Sequence, residues 1–219
     1  MKDYILEVCV DSVESALAAE RGGATRLELC ANLVIGGTTP GYPLFEQVKK
    51  ETGLPVRTLI RPRFGDFLYT QYEHRQMLQD IRHFAQAGAD GVVIGSLNAD
   101  GTLNTEQMKE MMEAAGSCAV TMHRAFDVCA DPFEALKKSA ELGVDTILTS
   151  GQEADCLAGC WLLKKLVQLT DQSRSDSRRV TILAGAGVTS ANIAEIAKKT
   201  GVRAFHMSGK RLLESGMRY

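Results

Sequence analysis

The chain has 219 residues, 45% of them hydrophobic and 24% charged, which supplies one substantial core and is too apolar for a disordered protein. Lys and Arg number 25 against 27 Asp and Glu, a formal charge of -2, and that balance argues against a protein that coats nucleic acid or an anionic membrane. Six cysteines without a CxxC spacing read as reduced thiols and exclude a disulfide scaffold.

At the N terminus, Asp3, Glu7 and Asp11 break the apolar run, so neither a signal peptide nor a membrane span fits, and the expected compartment is the cytoplasm. A first strand is expected from Tyr4, followed by a helical pattern over residues 12–22 and a second strand from Arg26. A third strand begins near Val56, a helix covers 72–87, and a fourth strand begins near Gly91. Helix 104–115 leads to a strand from Ala119, and helix 132–142, opened by Asp131-Pro132, leads to one from Thr146. Helix 155–170, a strand from Val180, helix 192–200 and a strand from Ala204 complete eight strands. The polar run 171–179 is expected to be an exposed loop.

A weak repeat recurs at Gly23, Gly88, Gly143 and Gly201, each a helix-ending glycine followed by a strand. These glycines introduce every second strand, as a closed (β/α)8 TIM barrel spanning 1–219 as one α/β domain would require. The rival, an open doubly wound sheet, lacks its glycine-rich turn, because Val10-Asp11-Ser12 follows the first strand.

Strand side chains alternate between faces, so the repeat sorts the interior. Five positions after each glycine stand Glu28, Val93, Leu148 and His206; two further on stand Cys30, Gly95, Ser150 and Ser208. The same parity pairs Glu7 with Cys9 and Thr121 with His123, and directs Arg61 inward, with Arg63 and Asp66 in the loop beyond. A buried carboxylate is costly unless paired, so Glu7 and Glu28 need partners, for which Arg61, His123 and His206 are candidates. Such pairs serve equally to plug a barrel and hold its register.

Three further groups sit at strand ends, where barrels carry their active sites. In Thr121-Met-His-Arg-Ala-Phe-Asp127, His123 suits acid–base work or metal ligation, and Asp127 suits orienting a neighbour or capping a helix. Gly185, Gly187, Ser208 and Gly209 allow close backbone approach to a phosphate or carboxylate, or are simply tight turns. Arg61, Arg63 and Arg124 suit an anionic ligand, under a loop in which Phe64, Phe67 and Tyr69 either cover a site or pack the rim. Cys9 and Cys30 occupy matching inward positions on neighbouring strands, a candidate pair for a soft ion such as Cu(I), or small apolar filler.

The segments Leu-Glu-Val-Cys9, Arg26-Leu-Glu-Leu-Cys30, Gly-Gly-Thr-Thr-Pro40, Ile60-Arg-Pro-Arg63, Thr121-Met-His-Arg-Ala-Phe-Asp127, Leu-Thr-Ser-Gly151 and Ala-Gly-Ala-Gly-Val188, with His206 and Ser208, resemble the CutC family over nearly the full length. The resemblance implies a (β/α)8 barrel and a cytoplasmic copper homeostasis protein that binds Cu(I) and is a homo-oligomer, with a dimer favoured. The residues themselves, rich in Glu, Arg, His, Asp and Ser at strand ends, look more like an enzyme pocket for a small anionic metabolite. On that alternative Glu7, Glu28, His123, Arg61, Asp127 and His206 are the catalytic candidates. Arg63, Arg124, Ser150, Gly185, Gly187, Ser208 and Gly209 are then the anion-binding ones.

Overall fold

Strands buried on both faces must be largely apolar toward the helices, and here the alternate strand residues meet that demand with two exceptions, Thr58 and Thr149. In the computed structural model, which describes residues 4–172, 180–211 and 214–218, the strands are β1 (Ile5–Val10), β2 (Arg26–Leu29), β3 (Val56–Leu59), β4 (Gly91–Ile94), β5 (Ala119–Met122), β6 (Thr146–Thr149), β7 (Thr181–Ala184) and β8 (Ala204–Met207). They pair in parallel and in sequence order, and β8 closes on β1. The fold is the expected (β/α)8 barrel.

The helices are α1 (Val13–Arg21), α2 (Tyr42–Glu51), α3 (Gln71–Gln86), α4 (Thr105–Ala115), α5 (Pro132–Leu142), α6 (Cys160–Gln172) and α7 (Ile193–Thr200). Outward strand residues Leu27, Leu29, Val92, Ile94 and Ile147 share one core with Phe45, Met77, Ile81, Met108 and Leu163 from the helices. Local chemistry sets the helix starts. Thr70 and Glu73 form a reciprocal capping box ahead of α3, and Asp131 accepts from Phe133 N and Glu134 N where Pro132 opens α5. The four repeat glycines, at positions 23, 88, 143 and 201, all have φ between 79° and 89°, the left-handed conformation that ends a helix without a Cβ clash.

Two elements differ from expectation. Helix α2 was not anticipated, although Phe45 and Val48 are buried one turn apart and Pro43 stands in its first turn; the Gly- and Pro-rich approach and the Lys49-Lys50-Glu51 end obscure its apolar face. Helix α6 starts at Cys160 instead of residue 155, because Asp155 turns the chain by accepting from Leu157 N and Ala158 N. Of the expected polar loop, Asp171 and Gln172 end α6, and residues 173–179 lie outside the described residues. Among the described residues no helix follows β8, and none is long and apolar enough to cross a membrane.

The interior carries two small apolar clusters, Cys9, Cys30, Leu59 and Val93 on β1 to β4, and Leu148, Leu183 and Ala204 on β6 to β8. Charged and hydroxyl side chains fill the space between them. Register brings them together, since Glu7 lies opposite Arg26 on one side and His206 on the other, while Cys9 lies opposite Glu28.

Candidate active site

Glu7 is fully buried, and its two oxygens are taken by different strands. Arg26 Nε is 2.5 Å from Oε2, and His206 Nδ1 is 2.8 Å from Oε1. The other ring nitrogen of His206, Nε2, stands 3.5 Å from Glu28 Oε2. Burial alone would raise the Glu7 carboxyl, but the His206 hydrogen bond and the Arg26 charge outweigh it and hold the group at about 2. Glu28 has no side-chain hydrogen bond among the described residues, so burial, and the Glu7 charge with it, raise it to about 7 against the pull of His206 and Arg26. Burial opposes charge on His206 too, yet Glu28, Cys9 and Glu7 together hold it well above its ordinary value. The His206–Glu28 pair therefore retains a proton near neutral pH, on a line that runs Arg26–Glu7–His206–Glu28 across three adjacent strands.

Cys9 Sγ, a Glu28 oxygen and a His206 ring nitrogen all lie within 4.8 Å of one another. Glu7 on Nδ1 fixes the ring, an arrangement common behind metal-ligating histidines. Cys30 stands outside that set. It is buried, its thiol donates to Val10 O at 3.5 Å, and burial and the Glu28 charge raise its pKa.

A second group lies at the C-terminal ends of β3 and β5. Arg61 donates from Nη1 to Gly36 O and Gly37 O, both at 3.2 Å, and from Nη2 to Gly65 O at 2.8 Å, tying two loops together. His123 is buried, and its Nδ1 accepts from Ala125 N at 3.2 Å, which places the ring proton on Nε2. Burial and the Arg61 charge drive its pKa down to about 3, so the ring is neutral. Phe67 packs on both, 4.7 Å from the His123 centroid and 5.1 Å from the Arg61 guanidinium carbon. Arg61 Nε and His123 Nε2 are buried with no hydrogen-bond partner.

The remaining candidates are dispersed. Asp127 accepts from Ser150 N, Gln152 N and Thr149 Oγ1 and pairs with Arg124 Nε at 2.7 Å, organising the loop after β6. Arg124 also reaches Ser150 Oγ, which donates to Glu153 O. Arg63 spends its donors on Glu73, Asp66 and the carbonyls of Phe64, Asp66 and Leu68. Gly185 faces Leu148 Cδ1, which a Cβ would meet at 2.5 Å, and Gly187 (φ 75°) abuts Asp155. Ser208 and Gly209 are exposed beyond β8. Glu7, Glu28, Cys9 and His206 thus form one cluster and Arg61 and His123 another; among the described residues no hydrogen bond or ion pair joins the two.

The CutC family model matches residues 4–211. The chain belongs to the CutC family. A CutC relative from Bacteroides fragilis strain YCH46 is 48% identical over 220 residues, covering 100% of this chain and 85% of the relative. A crystal structure from Streptococcus agalactiae, carrying the name copper homeostasis protein CutC, superposes with a TM-score of 0.86 at 29% identity over 94% of this chain and 98% of that one. A more distant barrel, named for deoxyribose-phosphate aldolase, from Coccidioides immitis, reaches a TM-score of 0.65 at 14% identity, covering 94% of this chain and 81% of its own, a likeness of fold.

Two interior residues of this CutC chain escape a reading confined to strand ends. Arg26 braces Glu7, and Arg57 crosses the barrel to donate from Nη1 to Thr121 Oγ1 and, at 3.2 Å, to Thr146 Oγ1. The parity that finds Glu28 and Arg61 reaches both arginines when carried back toward the strand starts.

Proposed function

We propose that the chain is a barrel enzyme that moves protons on a small phosphorylated or carboxylated metabolite, with Glu28 and His206 as the proton-carrying pair. The observation that carries this reading is the buried line Arg26–Glu7–His206–Glu28, in which one imidazole is fixed by a charged carboxylate and faces a second carboxylate across 3.5 Å. For a substrate with an acidic C–H beside a carbonyl, Glu28 takes the proton, the electron pair moves to the carbonyl oxygen, and His206 Nε2–H protonates that oxygen. Return of both protons regenerates the pair. Glu7 and Arg26 act as positioning residues.

The anionic end of the substrate is assigned to Arg61 Nε and His123 Nε2, two of the buried donors without a hydrogen-bond partner among the described residues, with Gly185, Gly187, Ser208 and Gly209 as the backbone alternative after β7 and β8. Arg63, Arg124, Ser150 and Asp127 shape the loops around them. The test is incubation with panels of keto acids and sugar phosphates in D2O, followed by proton NMR. Loss of a C–H signal with wild type but not with Glu28→Gln or His206→Gln supports the reading, whereas no exchange on any panel member, or exchange unchanged in both variants, ends it.

The Cys9–Glu28–His206 set favours a second reading, in which the cluster holds a metal. One thiolate, one carboxylate and one imidazole fit a borderline divalent ion such as Zn2+ better than Cu(I), which prefers sulfur; a Cu(I) role in copper homeostasis would draw on Cys9 with Cys30. Anaerobic Cu(I) and Zn2+ titrations of wild type, Cys9→Ser and Cys30→Ser separate these. Both readings fit one domain over 1–219 acting in the cytoplasm as a homodimer, without nucleic acid or membrane partners, and light scattering checks the subunit number.

A further inference from the structure

The strand N-terminal end of the barrel carries a further concentration of charge, in which Arg57 joins the Arg26 of the candidate active site. A depression of about 560 Å³ is bordered by Tyr4, Thr25, Arg26, Pro55, Arg57 and Asp90. Tyr4, Thr25, Pro55 and Asp90 each immediately precede a strand, so the depression lies at the strand N-terminal ends, the face that in barrels ordinarily serves stability.

Two arginines border it, each only 8% exposed. Arg26 gives Nε to Glu7 and keeps a buried Nη2 with no partner. Arg57 donates to two threonine hydroxyls and, among the described residues, forms no ion pair. The acid on the rim is already engaged, because Asp90 Oδ2 accepts from Lys49 Nζ at 2.7 Å and from Val56 N at 2.8 Å. Among the described residues Glu7 is the one carboxylate in ion-pair contact with either guanidinium, through Arg26, while Asp145 and Asp90 act on Arg57 only at longer range. Burial, and after it the charge of Arg26, pulls Arg57 down to about 10 against the opposite pull of Glu7, Asp145 and Asp90.

A buried cation without a partner is costly, and a guanidinium is matched in shape by an oxyanion. We propose that this depression is a binding site for a small phosphate-sized oxyanion, held by Arg57 with the unpartnered Nη2 of Arg26 as a second donor. The proposal goes beyond the proton-transfer reading, since the depression lies at the strand N-terminal ends and Arg57, its main donor, has no part in that reading. It does, however, share Arg26 with the line that holds His206.

The test is titration of the full chain with inorganic phosphate, followed by calorimetry and by amide NMR shifts. Saturable binding with shifts at Thr25, Arg57 and Asp90 is expected, together with at least 10-fold weaker binding in Arg57→Gln and a smaller loss in Arg57→Lys. The proposal is overturned by absence of saturation, by equal affinity in folded Arg57→Gln, or by shifts confined to the strand C-terminal ends around Gly185 and Ser208. Should both variants fail to fold, the wild-type shift map decides between the same two outcomes.

Discussion

His206 Nδ1 sits 2.8 Å from Glu7 Oε1, although 199 positions separate the two residues. Strand pairing of β8 with β1 sets them side by side. The contact converts a buried carboxylate, costly in isolation, into the centre of a paired group, because Arg26 takes its other oxygen at 2.5 Å.

Removing that centre leaves Arg26 buried and unpaired. Glu7→Ala is expected to lower stability by about 3–5 kcal/mol, read from urea denaturation at neutral pH. Glu7→Gln keeps the shape and should cost less. A loss under about 1 kcal/mol in Glu7→Ala would show that Arg26 finds another partner.

His123 gives the fold an acid sensitivity with a defined window. Its folded pKa of about 3 lies below the ordinary 6.5, so between these values the unfolded chain binds the proton and the folded chain does not. Stability is then fully present above pH 6.5 and falls as pH drops toward 3, by up to about 1.4 kcal/mol per pH unit from this group. His123→Gln should flatten this limb, measured by denaturation at pH 7, 5.5 and 4; an unchanged slope would remove His123 as its source.

Arg61 ties the loops after β2 and β3 through three carbonyls, those of Gly36, Gly37 and Gly65. Arg61→Ala is expected to cost about 3 kcal/mol and to speed proteolysis within residues 62–69 at least 10-fold. Equal cleavage rates would mean that Phe67 packing alone secures the loop.

Gly159 meets the chain after β6 so closely that a Cβ there would stand 1.8 Å from Ser150 O, a backbone atom with little freedom to move. Gly159→Ala should destabilise by at least about 2–3 kcal/mol, with amide shifts that extend to Ser150, Gln152 and Asp127. A melting temperature within two or three degrees of wild type, with no such shifts, would contradict this packing.

The alternation of strand residues made the fold and the polar interior legible, because a two-residue period admits no other assignment once one inward residue per strand is known. That rule turns Glu7, Glu28 and His206 inward, and closure of the barrel sets them on three adjacent strands. Which partners they choose was not legible. Whether His206, His123 or Arg61 meets Glu7 depends on register and side-chain reach, and register placed Arg26 and His206 beside it. His123 and Arg61 face the same way but meet Phe67 and loop carbonyls instead. Arg57 was hidden by position, since it enters at the start of β3 and its long side chain carries the charge toward Thr121 and Thr146. The α2 helix was hidden by its short apolar stripe, Phe45 and Val48 among charged neighbours.

The joining of the first and last strands through one imidazole also bears on how the chain acquires its shape. During synthesis Glu7 leaves the ribosome nearly the whole chain length before His206, with Arg26 as its early companion. A barrel missing its final strand has an open seam at β1 and exposes that carboxylate to water. The β1–β8 contact therefore carries the greatest loop-closure cost among the strand pairings, and it is the contact that desolvates the cluster. The buried charges thereby penalise partly closed forms, which would hold them dry and incompletely matched.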